Sequence, residues 1–273
     1  MADNPLFYRS ITPLDRAKHR GLRLKNGADR FAFASKTHII PAVIDEFAMA
    51  SRHLPIVFLP ASPLPAAVFL VGLRPGQNVF VNAEGGWSGG YIPAFARRYP
   101  FMLGELDKGG TVACIDETYD GLNQTIGERL FAEDGSDTPL LTERIKLIND
   151  YFAAAKRTDG LAKTLNELRL LRGVTIESKL DSGSSAALHG CLTVDEAKLN
   201  ALPEADFLRL RSEGLLPAIY AHLLSLASVD RLQRTEAASE SASQAQGAVP
   251  AKEANGAANQ PKVEAARGAR KGA

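Results

Sequence analysis

The chain has 273 residues, 45% of them apolar and 23% charged, with 32 Lys/Arg against 31 Asp/Glu. That is enough apolar material for a real core, in one large domain or two small ones. Setting aside the five Lys/Arg and four Glu that follow residue 235 leaves 27 charges of each sign, a balance that speaks against nucleic acid as a partner.

Apolar bursts open the chain: Leu22/Leu24, Phe31/Phe33 and His38-Ile39-Ile40. Their alternation predicts strands with one buried face, and Asn26-Gly27 is a turn signal. The basic run Arg16–Arg20 reads as solvated charge. Pro41 suits the first turn of a helix, and Val43, Phe47, Ala50 and Leu54 recur at helical spacing, so 41–53 is predicted helical. Leu54 to Leu73 carries no charge and imitates a membrane span, but Pro55, Pro60, Pro63 and Pro65 interrupt it. Two buried strands, Ile56–Leu59 and Ala67–Leu73, fit better, followed by a third at Asn78–Asn82. Arg74-Pro75-Gly76-Gln77 is a tight-turn sequence.

Gly85, Gly86, Gly89 and Gly90 surround Trp87 in a loop, and a short helix is expected from Ile92-Pro93. Met102–Leu106 and Thr111–Ile115 form a strand pair. After Gly135 the pattern turns helical: Thr138 caps Pro139, and Leu141, Ile145, Ile148 and Phe152 share a face. A break is expected at Thr158-Asp159-Gly160, then a second helix with Leu161, Leu165 and Leu168. Val174–Ser178 is a strand candidate and 181–185 a flexible loop. Thr193-Val194-Asp195-Glu196 has the capping-box pattern, and Leu216, Ile219, Leu223 and Leu226 mark the last helix. From residue 235 to 273 the chain is Ala, Gly, Ser and Gln with scattered charge, a composition that predicts disorder and a solubilising or tethering role. The expected fold is a single α+β domain, residues 1–234, with an antiparallel sheet built mainly from 22–115 and helices from 138–230 covering one face.

No recognisable catalytic, phosphate-binding or metal motif is present, so no cofactor is indicated. The glycine-rich loop lacks the nearby Lys of a phosphate cradle, and Ser88 has no base beside it in sequence. Trp87, Tyr91, Arg97 and Arg98 are the residue types that dominate binding surfaces, while Phe95 and Phe101 read as sheet packing. Asp116 and Glu117 end a predicted strand, where carboxylates serve as acid, base or ligand. Neighbours on a strand point to opposite faces, however, so they do not form a dyad. A structural partner for Arg97 or Arg98, or plain exposure, outweighs catalysis there. His222 falls within the last amphipathic helix and reads as a half-buried, hydrogen-bonded histidine. Cys114 and Cys191 sit in no metal or redox spacing and suit a reducing compartment. No secretory signal or lipidation motif is visible, so the expected location is cytoplasmic.

The run YIPAFARRYPF at 91–101, with Trp87 before it and Ile115-Asp116-Glu117 after it, resembles the SapC family of bacterial surface-layer-associated proteins. So do Phe7-Tyr8, Pro13-Leu14, Glu46-Phe47, Pro55–Phe58, Gly72-Leu73, Asn78, Leu130-Phe131, Asp134-Gly135 and His222. The likeness covers about residues 6–232. It implies a protein linked to surface-layer biogenesis or export, with no established enzymatic activity and a protein partner, rather than the polytopic peptide-transporter permease that shares the name. It also implies genes for outer-membrane receptors and flavin-dependent halogenase-like enzymes as neighbours. A small-molecule binder or an uncharacterised enzyme is therefore the alternative expectation.

Overall fold

Three antiparallel sheets and seven α-helices make up the computed structural model, which describes residues 4–247 apart from 28, 108 and 180–184. The largest sheet has five strands in the order β10-β11-β4-β5-β3, formed by Leu171–Lys179, Ser185–Val194, Ile56–Leu59, Ala66–Leu70 and Ile39–Pro41. A second sheet orders β1 (Ile11–Pro13), β7 (Thr111–Asp116) and β6 (Phe101–Glu105). A small third sheet joins β8 (Leu122–Asn123), β2 (Arg23–Leu24) and β9 (Glu128–Arg129). The α+β class holds, but the main sheet is completed from the far half of the chain. Strand β11 was not anticipated, and with β10 it supplies two of the five strands.

The uncharged run 54–73 is the pair β4–β5, whose residues Ile56, Val57, Phe58, Phe69 and Leu70 are wholly inaccessible to solvent. No helix among the described residues is long and apolar enough to cross a membrane. The turn at 74–77 closes as expected, with Gly76 at φ 80° and Gln77 N–H donating to Arg74 O at 3.2 Å. Asn78–Asn82 is not a strand; only Val81 bridges, to Trp87. Phe31 caps, and Phe33 lies within, a 3₁₀ turn over Ala32–Ala34 rather than a strand. Two alternate residues cannot distinguish these states, because in both the rings pack into the core. The predicted helix at 41–53 shrinks to a 3₁₀ turn, Ile44–Glu46, and a single α-turn, α1 (Phe47–Ala50).

Helix α2 (Ala94–Arg98) leads into β6, and α3 runs unbroken from Pro139 to Glu167. Thr138 caps α3 as read from the sequence, accepting from Leu141 N–H. The expected break at 158–160 does not occur. Gly160 costs an exposed helix about 1 kcal/mol relative to Ala, but Leu161 and Leu165 beside it are buried in the core. Thr158 Oγ1 also ties the helix to the 44–50 segment by accepting from Ile44 N–H at 2.8 Å. Four helices follow: α4 (Glu196–Asn200), α5 (Glu204–Ser212), α6 (Leu216–Ser225) and α7 (Val229–Gly247). The cap of α4 is Asp195, because Thr193 belongs to β11.

Helix α7 crosses the boundary drawn at residue 234. Leu232 and Glu236 are buried, and Arg74 lies 3.8 Å from the Glu236 carboxylate. Residues 248–273, the rest of the predicted tail, and the predicted loop around 181–184 lie outside the described residues.

The core has two parts. The larger packs the five-stranded sheet against α1, α2, α6 and the second half of α3. The smaller gathers Phe101, Ile115, Leu130, Phe131, Leu141 and Ile148.

Candidate functional site

The glycine-rich loop is shaped by close approach. A Cβ at Gly89 would lie 2.7 Å from Trp87 Nε1 and 2.9 Å from a Phe80 ring carbon, and one at Gly90 would lie 2.4 Å from His53 Nδ1. The ring of Trp87 stacks on Phe80 at 5.9 Å and meets Phe31 edge-on at 5.8 Å. Ser88 donates from both its N–H (2.7 Å) and its Oγ (3.0 Å) to Phe80 O, which leaves the hydroxyl no partner base.

Next along the chain, Tyr91 and Arg97 converge on a residue the sequence reading passed over as a site, Glu46. This carboxylate is 5% exposed. Its Oε1 accepts from Tyr91 OH (2.8 Å) and from Ala94 N–H (2.6 Å), the first turn of α2, and Arg97 approaches at 3.6 Å. Burial pushes the Glu46 carboxyl above its ordinary range against the pull of these donors, and burial likewise raises the Tyr91 phenol. Arg97 Nε also donates to Ile92 O at 2.9 Å. Glu46 therefore anchors the YIPAFAR segment. The only sequence signal for it is its place in the family pattern, because a lone Glu before an apolar run looks like a solvated residue.

Arg98 turns the other way, into the core, where it is 8% exposed. Its guanidinium lies 4.2 Å from the Tyr151 ring centre, 4.4 Å from Phe95 and 5.7 Å from Tyr8. No carboxylate comes within ion-pairing distance among the described residues, and Nε has no partner. The π-faces take the place of a counterion. Burial pushes the Tyr151 phenol up to about 12, and Tyr8 donates its OH to Phe101 O at 2.7 Å. Arg98 is thus a core residue and presents no surface to a partner.

Asp116 and Glu117 point to opposite sides, as strand geometry requires. The expected pairing with Arg97 or Arg98 is not what forms. Asp116 is fully buried and accepts five hydrogen bonds: from Arg9 N–H (2.7 Å), Ser10 N–H (3.2 Å), Thr118 N–H (3.0 Å), Thr118 Oγ1 (2.7 Å) and Tyr99 OH (3.3 Å). Burial disfavours its charge, but the bonds from Thr118, Arg9 and Ser10 outweigh burial and hold the carboxyl below its usual range. Glu117 accepts from His19 Nε2 (2.8 Å) and pairs with Lys18 (2.5 Å), which hold its carboxyl down at about 2. Since Asp15 N–H donates to His19 Nδ1 at 2.8 Å, the ring proton sits on Nε2 and faces Glu117. The two carboxylates therefore fasten two N-terminal segments to one strand end.

His222 is 1% exposed, more deeply buried than expected. Val194 N–H donates to Nε2 at 3.0 Å, so the proton is on Nδ1, which donates to Ile56 O at 2.9 Å. Thr193 Oγ1 lies 2.9 Å from Nε2. One helical turn on, Ser225 Oγ accepts from Ile56 N–H at 2.9 Å. Burial lowers the imidazole from 6.5 to about 4, keeping it neutral at physiological pH.

The seven predicted residues therefore do not form one site. Tyr91 and Arg97 share Glu46, whereas Trp87, Arg98, Asp116, Glu117 and His222 each sit in separate contacts. A cavity of about 620 Å³ lies elsewhere, beside the N-terminal segment, with Phe7, Phe33, Tyr99 and Tyr119 in its lining and Lys25 and Lys36 on its wall. Sequence reading missed it because its lining comes from four separate stretches of chain, around 4–9, 25–37, 99 and 118–121. Among the described residues, no three His, Cys, Asp or Glu side chains gather as a metal site.

This arrangement defines an α+β domain whose buried polar groups hold sheet, helix and N-terminal strand together. Residues 14–232 match the SapC family, and the chain belongs to it. The match begins after Phe7-Tyr8, so the likeness expected from residue 6 is shown from residue 14. No curated protein and no solved structure matches the chain.

Proposed function

We propose that the chain works by binding: a non-catalytic accessory protein with a protein partner, in surface-layer biogenesis or export or in a receptor-linked pathway. The observation that carries this reading is the commitment of the three candidate acid–base side chains to structural hydrogen bonds. Asp116, Glu117 and His222 are each committed to backbone or side-chain partners that hold the fold together. A general acid or base must be free to exchange a proton with a substrate within hydrogen-bond reach. The setting comes from the family resemblance. A cytoplasmic location belongs to the same proposal and is supported by Cys114 and Cys191, both free and buried, which suit a reducing compartment. The partner-facing surface is the flank where the edges of Trp87 and Tyr91 and the partly exposed Arg97 reach solvent.

The test is crosslinking in cells that carry the gene in its native setting, followed by purification and mapping of crosslinked residues. One stoichiometric protein partner with crosslinks on the 87–97 flank supports the proposal. A stoichiometric small molecule that the purified protein converts to product would replace it. The second reading, a small-molecule binder acting beside halogenase-like enzymes, draws its support from the aromatic lining of the 620 Å³ cavity. Mass spectrometry of extracts from the purified protein separates the two.

A further inference from the structure

Between α2 and the first turns of α3 a cleft of about 390 Å³ is lined by three guanidinium groups, those of Arg30, Arg97 and Arg144, together with Lys146, Glu143 and Asp150. Like charges gathered this closely repel one another unless anions stand among them. The anions present are too few. Asp150 is taken by Lys146 at 2.5 Å, and Glu46 reaches Arg97 only at 3.6 Å. Neither Arg30 nor Arg144 pairs with a carboxylate among the described residues, and the lining carries two net positive charges.

Arg144 is the deepest of the three. It is 9% exposed, and its buried Nε–H has no hydrogen-bond acceptor. An unpaired donor at that depth is unfavourable without an acceptor, and it lies on a helix whose next turn, at Ile148, is fully buried. Arg30 is half-buried with its guanidinium 5.2 Å from the Phe31 ring centre, and burial followed by the charge of Arg144 lowers its affinity for a proton. A lone surface arginine would turn outward into water, but these three line one common space. Guanidinium forks match the two-oxygen edge of a carboxylate or phosphate.

We propose that this cleft binds the oxyanion head, carboxylate or phosphate, of a small molecule, with Arg144 as the deepest contact and Arg30 and Arg97 closing over it. The inference goes beyond the accessory reading and stands without it, since the cleft binds its anion whether or not a protein partner exists. The cleft is also separate from the aromatic cavity, although Tyr119 touches both neighbourhoods: it lines that cavity and donates its OH to Arg30 O at 3.3 Å.

The experiment titrates full-length protein with inorganic phosphate and, separately, with malonate, each at constant ionic strength set by potassium chloride. The arginine Nε–H resonances are followed by NMR. Saturable shifts of the Arg144 and Arg30 signals are expected with at least one probe, and the tighter probe tells whether the head is a phosphate or a carboxylate. Arg144→Gln is expected to weaken binding at least about tenfold, and Arg144→Lys, which keeps the charge but not the fork, by a smaller factor. Should Arg144→Gln fail to fold, Arg30→Gln at the half-buried wall is expected to weaken binding several-fold while keeping the wild-type circular dichroism spectrum. Two results overturn the proposal: shifts that never saturate with either probe, which mean nonspecific attraction, or wild-type affinity in both Arg30→Gln and Arg144→Lys.

Discussion

Val194 and Ile56 belong to neighbouring strands, and the imidazole of His222 stands between them. Pairing of Leu192 with Phe58, continued two residues, sets Val194 opposite Ile56. In place of a direct ladder bond, Val194 N–H reaches Nε2 and Nδ1–H reaches Ile56 O. The ring thus extends the sheet while stapling α6 to it, and it does so only as the neutral tautomer, because a protonated ring has no acceptor for Val194 N–H.

His222→Gln should therefore cost about 3 kcal/mol at neutral pH, since a shorter, flexible amide cannot span both groups and leaves buried donors unpaired. The sign of the pH dependence follows from the lowered folded-state value. With the unfolded imidazole at 6.5 and the folded one at about 4, the unfolded state binds more protons between them. Stability is then full above pH 6.5 and falls as the pH drops toward 4, by up to about 3 kcal/mol. Urea titrations from pH 7 to pH 4 on wild type and His222→Gln check this. Equal slopes in the two proteins would show that the ring is not a neutral staple.

Asp116→Asn should be more damaging than a conservative change suggests. An amide keeps one acceptor oxygen and puts an NH2 where the other stood, so it faces donors either way: Arg9 N–H at one position, or Ser10 N–H and Thr118 at the other. The expected loss is about 3 kcal/mol or more, because bonds to a charged acceptor contribute about 1.5–3 kcal/mol each. Faster amide exchange at Arg9 and Ser10 is the specific readout. Exchange unchanged at those two positions would mean that the carboxylate does not hold the N-terminal strand.

Arg98 gives a contrast between two substitutions. Arg98→Lys replaces a flat, weakly hydrated cation with a compact, strongly hydrated one in an aromatic slot, and should cost about 1–2 kcal/mol. Arg98→Met fills the slot without a charge to desolvate and should fall within about 1 kcal/mol of wild type. Thermal unfolding of the two variants side by side decides it, and a Met variant weaker than the Lys variant would point to a counterion for Arg98.

Where the domain ends is testable by truncation. Ending the chain after residue 234 removes Glu236, a buried carboxylate beside Arg74, along with the rest of α7, whereas ending it after 247 keeps them. The shorter form should melt at least about 2–4 °C lower than the longer one, as expected for a loss of about 1 kcal/mol or more in a domain of this size. Identical melting curves would show that residues 235–247 add nothing to the fold.

Local signals were legible in the sequence and long-range ones were not. Thr138-Pro139, the turn at 74–77 and the hairpin of β6 with β7 each declare themselves within a few residues, so they were read correctly. Strand β11 carries His189, Gly190 and Thr193 and becomes a strand through β10 and β4, a context no window of sequence contains. Composition changes after residue 235, but it does not show that α7 runs on to Gly247 or that Glu236 finds a buried place near Arg74. His222 was read as a satisfied histidine, yet its partners lie 28 and 166 residues away. Nothing local in the sequence marks Arg30 and Arg144 as neighbours, since 114 positions separate them along the chain and only the fold brings both to one cleft.

The unbroken course of α3 links the two parts of the core. Leu140, Leu141 and Ile148 enter the smaller cluster, while Tyr151, Ala154, Leu161 and Leu165 enter the larger, all on one rod about 44 Å long. Had the helix broken at Gly160, most of these anchors would still share a segment, but the rod would carry a hinge. Without one, neither cluster can melt while the other stays ordered unless the helix is pulled apart mid-length. Heat or denaturant should meet a single cooperative unit, and a load placed on Arg144 near one end is carried mechanically to the packed sheet at the other.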